Sequence, residues 1–117
     1  MQNYKDLLTW QEAHKLTLKI YSVCKTFPKE EIFGVTSQLR RAAVSIPCNI
    51  AEGYGRYSSK DFAHFLQIAL GSANETGYLI LLSRDLQYID EPQYIALQEN
   101  VNKVKAMTIN LIEKVRK

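Results

Sequence analysis

Apolar residues recur at spacings of three and four along almost the whole chain, which is the period of an amphipathic helix. Over residues 4–26 the stripe is Leu7, Trp10, Ala13, Leu16, Ile20, Val23 and Cys24. Phe27-Pro28 closes it, because the residue before a proline avoids helical angles. After the connector KEEIFG, a stripe of Val35, Leu39, Ala42, Ala43, Ile46 and Ile50 predicts a second helix over 36–54, ended by Gly53 and Gly55. The third helix begins at SSKD, with Ser58 as its cap and Asp61 favourable to its positive start. Its stripe, from Phe62, Phe65 and Leu66 to Ile80 and Leu81, carries it to Gln87 or Tyr88. The fourth starts at DEPQ, where Asp90 caps, Pro92 fits the first turn and Gln93 closes a capping box. Leu97, Val101, Val104, Thr108, Leu111 and Val115 then continue it to the end. There is no strand-like alternation longer than a few residues and no internal repeat. The pattern predicts an all-α fold, an antiparallel up-and-down four-helix bundle formed by a single domain over 1–117. Ala42, Ala43, Ala69, Ala73 and Gly77 are small enough to let the second and third helices approach closely.

The stretch QLRRAAVSIPCNIAEGYGR, residues 38–56, departs from simple amphipathicity. On a helical wheel Gln38, Arg41, Ser45, Asn49, Glu52 and Arg56 fall within about 80° of one another, a polar stripe beside the apolar arc. One reading is a solvated face or a hydrogen-bonded seam between helices or subunits; the other is a ligand grip. Composition favours the seam, because these groups can satisfy one another, with Ser72 and Glu75 of the third helix as further partners. Pro47 bends the helix and leaves the Ala43 carbonyl without its usual donor, and no residue nearby in sequence obviously replaces it. Arg40 lies about 100° from Arg41, off the stripe, and is expected to be the outward charge.

Charge and chemistry change this picture in two ways. The chain of 117 residues has 15 basic and 12 acidic residues, a formal charge of +3, so local distribution matters more than the total. Residues 103–117 hold Lys103, Lys105, Lys114, Arg116 and Lys117 against Glu113, whereas 85–99 hold Asp85, Asp90, Glu91 and Glu99 with no base. The residues expected to meet phosphates are Lys15, Lys19, Arg40, Arg56, Lys60, Lys114, Arg116 and Lys117. No base-reading module accompanies them, so RNA or DNA binding without strong sequence specificity is expected. The alternative is a protein-interaction scaffold, for which seven tyrosines and Trp10 supply aromatic surface.

Catalysis, by contrast, finds little to use. Cys24 and Cys48 have no metal-ligand spacing, and a zinc site takes about four ligands. His14 is nearly three turns from Cys24, no Glu-x-x-His motif occurs, and GYGR lacks the rest of a phosphate loop. A non-enzymatic protein without cofactor or metal is expected. MQNYKDLLTW has no apolar core of signal-peptide type, and the longest apolar run, residues 78–82, falls far short of the ~20 needed to span a bilayer. A cytoplasmic location with no membrane partner is the expectation.

The segment SIPCNIAEGYGR resembles the signature of the four-helix-bundle family of the 23S rRNA intervening-sequence protein. The likeness extends to LLTWQEAHKLTLKIY, to FPKEEIFGVTSQLRRAAVSIPCNIAEG and to KDFAHFLQIALGSANE, and so covers most of the chain. It implies a four-helix bundle assembled as a ring-like homopentamer. The family's relatives include the accessory protein of diversity-generating retroelements, so the resemblance implies nucleic acid and a reverse transcriptase as partners of such relatives.

Overall fold

The computed structural model describes residues 3–117, so Met1 and Gln2 of the opening decapeptide lie outside it. Four helices form a bundle: α1 (Leu8–Cys24), α2 (Val35–Tyr54), α3 (Ser59–Asp85) and α4 (Glu91–Arg116). Short 3-10 turns precede α1 and α2 at Tyr4–Asp6 and Lys29–Glu31, and no strand occurs among the described residues.

Side-chain caps set the starts of α3 and α4. Ser58 accepts from the Asp61 amide, and Asp90 and Gln93 exchange bonds in a capping box. The first helix is shorter than its hydrophobic stripe suggests. Asn3 and Asp6 form a capping box of their own around Tyr4–Asp6, and Leu7 is extended, so α1 begins only at Leu8. At the end of α3, Gln87 adopts the left-handed conformation with φ 66. The Gln87 amide donates to the Arg84 carbonyl and the Tyr88 amide to the Ser83 carbonyl, each at 2.8 Å. This is a Schellman closure, and it stops the helix at Asp85, short of the expected Gln87 or Tyr88.

The long axis of the molecule is 43 Å, close to the ~40 Å that the 27 residues of α3 span at 1.5 Å each. Leu16, Ile20, Leu39, Ile46, Ile50, Leu66, Ile80, Val101 and Val104 fill the core. α2 and α3 pack most extensively, with Ala42, Ala43, Ala69 and Ala73 buried on their apolar faces. Gly53 meets α3 so closely that a Cβ there would lie 2.7 Å from Phe65 Cβ. Thr76, Ser83 and Thr108 are fully buried, and each hydroxyl donates to the carbonyl four residues earlier, so these polar groups enter the core satisfied.

The carbonyl freed by Pro47 finds its donor on α1. Thr17 Oγ1 donates to the Ala43 carbonyl at 3.1 Å while also approaching the Ala13 carbonyl at 2.9 Å. The gap that sequence neighbours cannot fill is closed by a residue 26 positions away.

Candidate nucleic-acid interface

The polar stripe of α2 divides into a satisfied middle and exposed ends. Ser45 and Asn49 are half-buried between α2 and α3. The Ser45 and Ser72 hydroxyls are 2.8 Å apart, and Asn49 Nδ2 donates to the Ser45 carbonyl at 2.8 Å and to its hydroxyl at 3.0 Å. Towards the start of α2, Gln38, Arg41 and Ser45 line a polar groove of about 450 Å³ with Ala42 and Glu75. Arg41 and Glu75 are exposed, and neither forms an ion pair among the described residues. Towards its end, Glu52 pairs with Arg56 at 3.4 Å.

Arg40 is not the outward arginine. Its guanidinium lies 5.1 Å from the centre of the Tyr21 ring, and its Nε is buried without a hydrogen-bond partner among the described residues. The same guanidinium sits beside Cys24, where burial pushes the thiol up from its ordinary range and the positive charge only partly offsets this. A 100° step from Arg41 turns Arg40 towards α1, so the outward charge of the pair is Arg41.

The other predicted basic residues fall into two groups. Lys15 shares Glu12 with Lys103, at 3.6 and 3.4 Å, and burial of Glu12 is outweighed by these lysines, which hold its carboxyl below the usual range. Lys19 donates to Asn100 Oδ1 at 3.0 Å. Arg56 stacks over Phe65 at 4.7 Å in addition to its Glu52 pair. Lys60, Lys114, Arg116 and Lys117 make no ion pair among the described residues. Lys60 and Arg116 line one cleft with His64 and Gln67, while Lys114 borders a neighbouring groove with Leu8 and Asn110. Sequence reasoning missed His64 and Gln67, although the spacing of four and three from Lys60 places all three on one helical face.

At the far end of α3, roughly 40 Å away at 1.5 Å per residue, the balance reverses. Arg84 is held by Asp85 and Glu91, and Asp90 caps α4. Glu31 accepts from the Tyr88 hydroxyl at 2.6 Å and from the Val35 amide, which lowers its carboxyl from the ordinary 4.5. The distance far exceeds the ~8–10 Å screening length at physiological salt, so the acidic end does not cancel the basic one.

His14 stacks on Trp10, with ring centres 4.9 Å apart, and lines a largely apolar groove of about 320 Å³ with the exposed Cys48. Among the described residues no three of His, Cys, Asp and Glu gather as a metal-binding group, and no helix is long and apolar enough to cross a membrane.

These features define a small helical-bundle protein with a polar seam and a charge gradient along its axis. The family model of the 23S rRNA-intervening sequence protein matches residues 5–110, and the chain belongs to that family. It is also similar to a crystal structure of a protein with unknown function from the S23 ribosomal protein family of Bacteroides thetaiotaomicron. That protein is 27% identical, with a TM-score of 0.84, over 90% of this chain and 98% of the other. No curated protein matches the chain.

Proposed function

We propose that this protein is a non-enzymatic, oligomeric helical bundle that binds RNA or DNA through charge and shape. The observation that carries the reading is the gathering of Lys60, Lys114, Arg116 and Lys117, all without acidic partners among the described residues, where α3 begins and α4 ends. An antiparallel, up-and-down course of the helices belongs to the proposal. It is supported by the shared groove of Leu8 and Thr9 with Met107, Asn110 and Lys114.

Assembly strengthens the reading. A ring of five chains would carry a formal charge of +15 from +3 each, and phosphate contacts add through counterion release. The unpaired Arg41 and Glu75, together with exposed Ile68 and Tyr78 on α3, support a further subunit contact at this face. The scaffold reading has its own support in Phe33 and Tyr57, which are 94% and 109% exposed. Aromatic residues are enriched in protein interfaces.

Binding of labelled, mixed-sequence RNA and DNA across a salt series tests the proposal. Affinity should fall steeply between about 50 and 200 mM salt, in the manner of phosphate contacts. Absence of binding at low salt, or binding indifferent to salt, would reject it in favour of the scaffold.

A further inference from the structure

The cleft between the start of α3 and the end of α4 encloses about 380 Å³. Ala63 and Val115 give it apolar walls, and Ser59, Lys60, His64, Gln67 and Arg116 supply its polar groups. Lys60, His64 and Gln67 rise along one face of α3, and Arg116 contributes from α4. The nearest acids in sequence, Asp61 and Glu113, point elsewhere. On the helical wheel Asp61 lies about 130° from the middle of the α3 lining, and Glu113 about 110° from that of α4. Neither pairs with Lys60 or Arg116. Two exposed cations thus border a cavity at the small end of the ~300–1,000 Å³ typical of ligand sites. That space suits one nucleotide-sized group and not the face of a duplex.

We propose that this cleft seats a phosphodiester of a single polynucleotide strand. Lys60 acts as a point charge on its oxygens, and the planar guanidinium of Arg116 donates to them as a fork. His64 and Gln67 add neutral hydrogen bonds along the same wall. The inference rests on the nucleic-acid reading above and narrows it to particular residues. Three of the other predicted basic residues are already engaged: Arg56 by Glu52, Lys15 by Glu12 and Lys19 by Asn100.

The test compares the full chain with Lys60→Gln/Arg116→Gln, Lys60→Arg/Arg116→Lys and Lys29→Gln. Fluorescence anisotropy follows a labelled single-stranded oligonucleotide, made as RNA and as DNA of one sequence, over a salt series. The double glutamine variant should bind both strands roughly tenfold or more weakly, since bonds to charged groups are involved. Its log–log salt slope should be shallower by about 1.4, from two contacts at ~0.7 each. The charge-retaining variant should hold most of the affinity, and Lys29→Gln, in the exposed turn before α2, should change little. An unchanged affinity and slope in the double glutamine variant would overturn the cleft while leaving the nucleic-acid reading standing. Failure of the wild type to bind either strand at low salt would overturn both. Tight binding of RNA with none of DNA would overturn a phosphate clamp, because it would require the 2′-hydroxyl.

Discussion

Pro47 has no amide to offer Ala43, and a buried carbonyl left bare costs about 1–3 kcal/mol. Thr17 supplies the missing donor from α1, which makes a substitution pair informative. Thr17→Val keeps the shape but removes the hydroxyl, and it should lower stability in urea by about 1–3 kcal/mol. Thr17→Ser should retain most of it. In a Pro47→Ala background the helix regains its own amide, so Thr17→Val should then cost clearly less; equal costs would show that Thr17 acts only through packing. A second residue-level prediction concerns pH. Glu31 is lowered from 4.5 chiefly by the Tyr88 hydroxyl, and Tyr88 is raised from 10.0 chiefly by Glu31. A lowered carboxyl stabilises above its unfolded value, so this contribution should fade as pH drops below 4.5. A raised phenol stabilises below its unfolded value, so that contribution should fade above pH 10. Thermal melts of Tyr88→Phe should show both dependences weakened. At this scale the sequence posed the proline question but could not answer it, because the donor is 26 residues away. The wheel separated Arg40 from Arg41 but put the wrong one in water, since packing, which the wheel does not contain, lays Arg40 against the Tyr21 ring of α1 and leaves Arg41 exposed.

Helix starts were legible where a short polar side chain stands one step before an apolar stripe, as at Ser58 and Asp90. Ends were harder to read, because they depend on single backbone angles. Gln87 sits at φ 66 without being glycine, and a left-handed L-residue costs about 1–2 kcal/mol. Gln87→Gly should therefore stabilise the chain, by about 0.5–1 kcal/mol once the added freedom of the unfolded state is counted. The check is an upward shift of the urea midpoint with unchanged slope. Gly53 predicts the reverse. The small-residue faces of α2 and α3 were visible in the pattern, but Gly53 read only as a helix terminator. In the structure it is a point of contact, with Phe65 Cβ 2.7 Å and Phe62 Cδ1 3.0 Å from where a Cβ would stand. Gly53→Ala should cost about 1–3 kcal/mol by overpacking. Gly71→Ala, in open space on the same pair of helices, should not. If both were equally harmless, the close approach of the end of α2 to α3 would be wrong.

For the whole molecule, the bundle was readable because four stripes of period 3.6 leave few other ways to bury apolar surface. The basic cleft was less so, because its residues come from helices about fifty positions apart in the chain and only packing joins Lys60 to Arg116. Assembly lies further still from the sequence, and the groove shared by Arg41 and Glu75 offers a way to test its symmetry. A two-fold dimer joins one patch to its own copy, so Arg41 of each chain would meet Glu75 of the other. A ring joins two different patches, so both residues would face other groups on the neighbour. Light scattering of the wild type should give about 67 kDa, five chains of 13.4 kDa. Arg41→Glu and Glu75→Arg should each shift that mass towards 13.4 kDa. Combining the two reverses both charges against an unchanged neighbouring patch, so in a ring the double variant stays dissociated. In a two-fold dimer the exchange is self-consistent and restores association. A wild type of 13.4 kDa at micromolar concentration would reject assembly, and recovery by the double variant would reject the ring in favour of a dimer.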